Sequence, residues 1–527
     1  MLNLRKLEKA FLMLKTTVSV LLFILFLQSC KQTPPVKTTP STAPKEISYV
    51  RKPVSGKPLQ EFRGVWVASI ANIDWPSRRG LSTENQKKEF EELAKSAKET
   101  GLNALLVQVR AATDAFYEKS FEPWSEWLMG EQGKAPEPLY DPMDHMIKVS
   151  HRQGLEFHAW LNLNRGMHKK ATSITPDHIT KTKPDWFLSY DGYQLFNFGI
   201  PEVRDYITAV VSNIVRNYDV DGIHFDDYFY PYKVTGQNLD DEATFKKYPA
   251  GFKSIDDWRR NNIDLLITQI AGEIKKEKPW VVFGISPFGV WRNKSDDPAG
   301  SETRGGQPSY DYMFADTRKW AQQGLIDYIT PQIYFPFEHK LVPYATLTDW
   351  WAKNCGNTRL YIGHGIYRVD ESSDLRAWRD PNQIPRQLHY NRLSGKITGS
   401  IFFSANGLKK NHLGLTDSLK SIYSTPALTP DIENIAHTKS AKPNSLKIVQ
   451  NNGNLNLSWS TEPNTTSLLY YFPAGAEFNL EDPDKILSIS PDNSFETPFD
   501  ARFTKGIFAL VVRQRGKKQS EPVFSKL

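Results

Sequence analysis

The chain has 527 residues, of which 24% are charged and 39% hydrophobic, so it is long enough for two or three globular domains of ordinary composition. Its formal net charge of +7 is modest for this length, and no block of basic residues interleaved with aromatic residues is present. These features argue against a nucleic-acid partner. Aromatic residues make up 12% of the chain, with 14 Trp, which fits large cores and sugar-stacking platforms about equally well.

The N-terminus predicts export and lipid attachment. Basic residues precede a short apolar run, 18–27, which is too short to span a bilayer and has the layout of a secretory signal. The run ends in LQSC, which resembles a bacterial lipobox and implies cleavage before Cys30 and lipidation of its thiol; a plain signal peptide is the alternative. Residues 31–58 are rich in Pro, Thr, Ser and Lys and predict a flexible tether.

No acidic run follows Cys30, so we expect a bacterial cell-envelope protein in the outer membrane, facing the periplasm and contacting the membrane only through its lipid. The one other cysteine, Cys355, leaves no partner for an intrachain disulfide in the mature protein.

From residue 59 to 424, eight short apolar strands alternate with amphipathic helical runs such as 84–100 and 255–278. The predicted strands are 63–71, 104–110, 155–163, 221–228, 281–288, 328–334, 360–368 and 399–405. This order predicts a (β/α)8 TIM barrel, an α/β fold. A linker at 425–436 leads to residues 437–527, whose alternating pattern predicts a small all-β sandwich that weakly resembles a fibronectin type III module.

Alternation along the predicted strands separates an apolar outer face from a polar inner face. The inner set concentrates toward the C-terminal strand ends, where barrel active sites are built. Its members are Gln108, Arg110, His158, Trp160, Asn162, Asn164, His224, Asp226, Tyr228, Gln332 and Tyr334. His364 instead shares a face with Ile362 and Ile366.

Carboxylates are the best candidates for chemistry. The histidines lack the spacing of a zinc site, so we expect no metal and no cofactor. Ser286 lies outside any Gly-x-Ser-x-Gly elbow and is predicted to be a substrate hydrogen-bonder or packing residue. Glycoside hydrolysis needs a proton donor and a second polar group, and the adjacent Asp226 and Asp227 would raise one another's pKa. The alternative for Asp227 is a loop cap or a pair with Arg259 or Arg260.

The segments EFRGVWVASIANIDWPS, QVRAATDAFY, WLNLNRG, DGIHFDDYFYP, GISPFGVWRNKSDDPAGSETRGG and ITPQIYFPF resemble the glycosyl-hydrolase-like family ten. The resemblance implies a (β/α)8 fold and glycoside hydrolysis. At least one branch of the family acts on peptidoglycan glycan strands stripped of their stem peptides. The family pattern points to Asp226 and Asp227 as catalytic, and to Arg63, Trp66, Arg110, Asn162, Arg165, Trp291, Arg292, Gln332 and Tyr334 around the cleft. We add His158, His224, Tyr228, Ser286 and His364 as substrate-binding candidates from their places on the strands.

The seventh predicted strand carries His364 and no acid, so a nucleophile carboxylate at that position is excluded. The Asp-rich fourth strand is similar to that of chitinase-like barrels, in which the substrate's 2-acetamido group is the nucleophile. We therefore expect substrate-assisted cleavage of an amino-sugar glycan, with Tyr334 as an acetamido partner and arginines that offset the lactyl carboxylates of muramic acid. The alternatives are a hydrolase of scavenged polysaccharide and a non-catalytic glycan-binding lipoprotein.

Overall fold

A computed structural model describes residues 47–527. The predicted signal peptide, the lipidation site Cys30 and most of the predicted tether lie outside the described residues. Residues 49–527 form one compact unit. In the part of the chain that the structure describes, no helix is long and apolar enough to cross a membrane.

Eight parallel strands close into a barrel in which each strand pairs with its neighbours in sequence and the last pairs with the first. They are β1 (Phe62–Val67), β2 (Ala104–Arg110), β3 (Glu156–Leu161), β4 (Gly222–Phe225), β5 (Val282–Ile285), β6 (Tyr328–Ile329), β7 (Arg359–His364) and β8 (Ile397–Phe403). The predicted (β/α)8 fold is confirmed. Most strands end earlier than predicted, because the residues that follow leave the sheet to line the C-terminal face of the barrel.

The helices between the strands begin at side chains that accept hydrogen bonds from the first turn. Ser82, Asp141 and Ser254 cap three of the longer ones in this way. The helices are α1 (Thr83–Glu99), α2 (Glu126–Met129), α3 (Pro142–Arg152), α4 (Ile179–Thr182), α5 (Pro201–Asn217), α6 (Glu242–Lys247), α7 (Ile255–Glu277), α8 (Ser309–Tyr312), α9 (Thr317–Gln322), α10 (Tyr344–Asn354), α11 (Gln383–Leu393), α12 (Ala405–Lys410) and α13 (Leu415–Ile422). A small antiparallel sheet after β3 consists of Arg165–Met167, Phe187–Tyr190 and Tyr193–Phe196.

The barrel wall separates two buried layers. Outward side chains such as Leu105, Phe157 and Ile223 belong to a large hydrophobic cluster between strands and helices. Inward side chains form a separate cluster of Phe62, Trp66, Ala68, Ala104, Leu106, Trp160, Tyr328, Tyr361 and Ile401. The predicted apolar outer face is therefore confirmed, whereas the inner face, predicted to be polar, carries aromatic and aliphatic side chains as well as polar ones.

The C-terminal region folds into two antiparallel sheets, which confirms the predicted small β-sandwich. One sheet contains β9 (Lys447–Asn451), β10 (Asn454–Ser458) and β13 (Ser494–Pro498). The other contains β11 (Thr465–Phe472), β12 (Ile486–Ser490), β14 (Ile507–Gln514) and β15 (Val523–Ser525). Its likeness to fibronectin type III remains a prediction.

The structure packs both segments that the sequence predicts to be free connectors, as far as they are described. The amide of Val50 donates to the carbonyl of Phe478 at 2.9 Å, and that of Leu480 donates to the carbonyl of Val50 at 2.9 Å, on the C-terminal domain. Gln60 pairs with Leu428 of the predicted linker. The polar composition of these segments correctly indicates that they have few apolar side chains to bury. Their backbones nevertheless form hydrogen bonds and bridges with other parts of the protein.

Candidate active site

Asp226 follows β4 directly and lies in a ring of hydrogen-bond donors. Trp160 Nε1 donates to its Oδ2 at 3.1 Å, and Asn162 Nδ2 lies 3.0 and 3.1 Å from its two oxygens. Burial raises the pKa of Asp226, while the charge of Arg165 and these N–H groups oppose the rise. These donors favour the ionised carboxylate.

Asp227 has a different environment. Its partners are the hydroxyl of Tyr232, which donates to Oδ2, and the side chain of Gln332. Burial, and then the charge of Asp226, raise the pKa of Asp227 to about 6. The alternative of an arginine pair is not what the structure shows: Arg259 pairs with Asp241 and Asp256, and Arg260 with Asp257.

An aromatic wall of Tyr334, Tyr367 and Phe403 borders the same end of the barrel. Tyr334 packs edge-to-face against Tyr367 and stacks on Phe403, each at a centroid distance of 6.2 Å. Burial and the nearby charge of Asp227 raise the pKa of Tyr334 well above its ordinary value, so its phenol remains a hydrogen-bond donor. Tyr367 is 51% exposed and offers a face to a ligand.

Below the carboxylates, the barrel interior contains a hydrogen-bonded chain whose direction can be assigned. Trp66 Nε1 is a donor only, and it lies 3.0 Å from His224 Nε2, so this nitrogen must accept. The proton of neutral His224 is then on Nδ1, which lies 2.9 Å from the hydroxyl of Tyr328. Burial holds the pKa of His224 well below its ordinary value, which fits the neutral ring.

The same chain continues to the bottom of the barrel. Because Tyr328 accepts from His224, its own hydroxyl donates to His158 Nδ1 at 3.0 Å, and His158 Nε2 donates to Glu156 at 3.2 Å. Glu156 also accepts from the hydroxyl of Thr429. We call this series, from Trp66 through His224, Tyr328 and His158 to Glu156, the interior chain.

Trp66, His158 and His224 are therefore corrected from cleft residues to members of the interior chain, with 0–2% of their surface exposed. The alternation of side chains along each strand correctly predicts that these three residues point inward. It does not predict how deep along the barrel axis each side chain lies. Ser286 joins the two levels. Its hydroxyl lies 3.0 Å from His224 Nε2, and its carbonyl accepts from Gln332 Nε2 at 2.8 Å.

Two predicted binding residues lie outside the barrel wall. Arg63 is bound to Glu61 at 2.8 Å and donates to the carbonyl of Thr425 at 2.8 Å. His364 lies between Gln387 and Ser400, 2.9 and 3.0 Å from its ring nitrogens. Both side chains are on the outward face of their strands, so both predictions are corrected.

Arg110 supports the site without facing it. The pairing of β2 with β3 shifts register between Gln108 and Arg110, so the simple alternation fails at this point. The guanidinium forms a two-pronged ion pair with Glu122, at 2.7 Å for both contacts, and donates to the carbonyl of Asn162 at 2.5 Å. The arginine therefore positions the residue that holds Asp226.

Trp291 and Arg292, both predicted to line the cleft, are engaged in contacts within the protein and are not free to bind a ligand. Trp291 is 5% exposed, and its Nε1 donates to Asp316 at 3.0 Å. Arg292 is paired with Asp297 at 2.8 Å and Asp311 at 2.9 Å. Nearby carboxylates, one of which is Asp297 of the same quoted segment, thus occupy both groups.

Arg165 and Tyr228 lie beside Asp226. The backbone amide of Arg165 donates to Asn162 Oδ1 at 2.9 Å, and its guanidinium carbon lies 4.2 Å from the centre of the Tyr228 ring. The structure therefore brings together Asp226, Asp227, Asn162, Arg165, Tyr228, Gln332 and Tyr334.

The site predicted from the sequence left out four residues at this end of the barrel. They are Trp160, Tyr232, Tyr367 and Phe403. Trp160 had a signal in the sequence, since it shares the predicted inward face with Asn162, and its role as a donor to Asp226 appears only in the structure. Tyr232 lies five residues after Asp227, and neither strand nor helix periodicity predicts that two residues at this spacing are in contact. Within residues 47–527 no group of three potential ligands is arranged to hold a metal ion.

Comparisons with known proteins point to one family. The model of a family described as Glycosyl hydrolase-like 10 matches residues 61–380. The chain is 45% identical over 403 residues to Glycosyl hydrolase YngK of Bacillus subtilis, covering 75% of this chain and 78% of that protein. It is 37% identical over 415 residues to Glycosyl hydrolase DigH of Escherichia coli strain K12, covering 73% and 91%.

Among solved structures, the glycoside hydrolase domain of PgaB from Bordetella bronchiseptica has a TM-score of 0.42 and 14% identity over 70% of this chain and 100% of that one, a likeness too loose to indicate a substrate. The resemblance seen in the strand-end motifs is confirmed by the family match and by both relatives. The chain belongs to the glycosyl hydrolase-like 10 family and is a glycosidase.

Proposed function

We propose that the protein cleaves amino-sugar glycan, with peptide-free peptidoglycan strands as its substrate and the substrate's own 2-acetamido group as the nucleophile. The observation that carries this proposal is the unequal environment of two adjacent carboxylates. Asp226 accepts N–H bonds from Trp160 and Asn162, whereas Asp227 contacts a hydroxyl and an amide and, within residues 47–527, forms no ion pair.

Asp227 is the proton donor in this proposal. A pKa of about 6 leaves part of the population protonated at neutral pH, as a general acid requires. Its proton moves to the glycosidic oxygen as the bond from that oxygen to C1 breaks. In the second half of the reaction the Asp227 carboxylate takes a proton from the water that attacks C1.

Asp226 and Tyr334 act on the acetamido group. The ionised Asp226 accepts the acetamido N–H and stabilises the positive charge that develops when the acetamido oxygen bonds to C1. The phenol of Tyr334 donates to that oxygen and directs it toward C1. This division of roles needs a substrate with a 2-acetamido group, which both sugars of peptidoglycan carry.

The location belongs to the same proposal and rests on sequence alone. The secretory pattern and the LQSC ending favour a lipid anchor at Cys30 and a periplasm-facing position in the envelope, where peptidoglycan is found.

The test uses the protein from residue 31 onward, without its lipid. It is incubated with intact sacculi, with sacculi stripped of peptides by an amidase, and with a neutral β-glucan, and soluble products are identified by mass spectrometry. Asp227→Asn and Asp226→Asn are expected to lower turnover of stripped sacculi about 10²- to 10⁴-fold. The matched control is Asp240→Asn, an exposed carboxylate in the same loop, which should keep full turnover.

Each other outcome has a meaning. Binding to stripped sacculi without release of muro-sugars would identify a glycan-binding protein, and cleavage of the β-glucan would identify a polysaccharide scavenger. Inverted anomeric configuration of the first product, or a covalent sugar trapped on either aspartate, would refute the acetamido mechanism while leaving the substrate intact.

A further inference from the structure

Four arginines were predicted to offset carboxylates on the substrate, and the structure leaves one of them available. Arg63, Arg110 and Arg292 are ion-paired with Glu61, Glu122, Asp297 and Asp311. Within residues 47–527, the guanidinium of Arg165 makes no ion pair within 4.0 Å and no side-chain hydrogen bond. The backbone amide of Arg165 donates to Asn162 Oδ1 at 2.9 Å, and this bond does not involve the guanidinium.

This free guanidinium is nearly buried, because Arg165 is 8% exposed. It lies over the ring of Tyr228 at 4.2 Å and is near enough to Asp226 to lower the pKa of that carboxyl. A nearly buried cation whose N–H groups meet no carboxylate among the described residues is costly, and its five N–H donors match a carboxylate in two-pronged geometry. The arrangement therefore suits an anion that arrives with the substrate.

We propose that Arg165 binds the free lactyl carboxylate of muramic acid and so selects strands that have lost their peptides. The inference rests on the proposed function. The lactyl group is attached to the oxygen on carbon 3 of muramic acid. Carbon 3 lies between carbon 2, which carries the acetamido group, and carbon 4, whose oxygen forms a glycosidic linkage. The lactyl carboxylate is therefore close to the scissile linkage whichever of the two sugars occupies the reacting position. In a peptide-bearing strand the same carboxyl is a neutral amide, which cannot form the charged pair.

The test compares two forms of one substrate: peptide-free strands, and the same strands with their lactyl carboxylates converted to methylamides. The wild-type protein should cleave the methylamide form with a kcat/KM lower by about 10- to 100-fold, the range expected for loss of a charged hydrogen bond. Arg165→Gln should lose the same factor on free strands and should not distinguish the two forms.

Arg79→Gln is the matched control. Arg79 also lies over an aromatic ring, that of Trp127 at 3.9 Å, but its guanidinium is paired with Glu126 at 3.0 Å. This variant should keep the wild-type preference for free carboxylates. A wild-type protein that cleaves both forms equally would overturn the inference. The inference would also be overturned if the Arg165→Gln variant lost activity equally on both forms and its pH profile shifted, because Arg165 would then act through Asp226.

A binding measurement separates this inference from the proposed function. In the Asp227→Asn background, calorimetry measures affinity for a muramic-acid-containing saccharide and for its methylamide. Tighter binding of the acid, abolished by Arg165→Gln, would support carboxylate recognition even if no strand is cleaved. Equal affinities would refute it even if peptide-free strands prove to be the substrate.

Discussion

At the scale of single residues, the two neighbouring aspartates have different electrostatic environments. Their adjacency, visible in the sequence, predicts that one pKa is raised. It does not say which, because the donors that favour charge on Asp226 come from Trp160 and Asn162, on and just after β3, about sixty residues earlier. The partner of Asp227 that opposes its rise, Tyr232, belongs to an irregular loop. Local sequence rules therefore could not assign the acid.

The raised pKa of Asp227 predicts that this carboxyl, although needed for activity, lowers the stability of the fold at neutral and alkaline pH. A carboxyl that titrates at about 6 in the folded protein and near 3.8 when unfolded stabilises the fold below pH 3.8, and this contribution is lost as the pH rises through 6. Asp227→Asn should therefore be more stable than the wild type at pH 8, by about 3 kcal/mol, and no more stable at pH 3. Urea unfolding at the two pH values measures this. Equal stabilities at pH 8 would contradict the prediction, and Asp240→Asn should match the wild type throughout.

At the scale of strands and helices, alternation and spacing were enough to predict the barrel. The eight strands and the two helical runs appear within a few residues of their predicted positions. The depth of a side chain in the barrel and local irregularities of the strands were not predicted. His224 points inward but lies in the interior chain below the cleft, and Arg110 follows a register shift. Both depend on which side chains meet across the barrel, and alternation within one strand contains no such information.

Gly284 on β5 makes room for the interior chain. A Cβ atom at this position would lie 1.9 Å from the ring of Tyr328. Gly284→Ala should displace Tyr328, leave the two histidine nitrogens without partners, and destabilise the fold by about 1–3 kcal/mol or more. Thermal unfolding and the ¹⁵N shifts of His158 and His224 are the measurements.

The matched change is Gly272→Ala in α7, where nothing lies within 4 Å of the added atom. It should stabilise the protein by about 0.5–1 kcal/mol through helix propensity. If Gly284→Ala unfolds at the wild-type temperature with unchanged histidine shifts, the packing role of Gly284 is wrong.

At the scale of the whole molecule, the barrel and the C-terminal domain share buried charges. Arg515 of the C-terminal domain lies 2.9 Å from Asp221, which immediately precedes β4, and His151 lies 2.8 Å from the same carboxylate. The sequence predicted two domains joined by a linker. It could not predict this contact, because Arg515 and Asp221 are almost three hundred positions apart and Arg515 belongs to no motif.

Arg515→Gln should therefore weaken the entire fold. Burial alone would raise the pKa of Asp221, but Arg515 and His151 lower it to about 2, so the pair contributes stability above about pH 4 that is lost as the pH falls through 2. The variant should be less stable than the wild type by up to about 3 kcal/mol at pH 7, with the difference disappearing near pH 2.

Calorimetry across this pH range gives the comparison. Arg502→Gln, which removes an exposed pair with Asp500 on the same domain, serves as the control and should change little. Separate unfolding transitions for barrel and C-terminal domain, with only the latter affected by Arg515→Gln, would contradict the shared-charge model.

The pairing of Val50 with the C-terminal domain has a mechanical consequence. A pulling force on the N-terminus meets the backbone bonds of Val50 to Phe478 and Leu480, and the bond of Arg51 to Gln519 at 3.0 Å, before it reaches β1. The C-terminal domain therefore bears the load first. The strands of the barrel, and with them the geometry of Asp226 and Asp227, are loaded only after these bonds have broken.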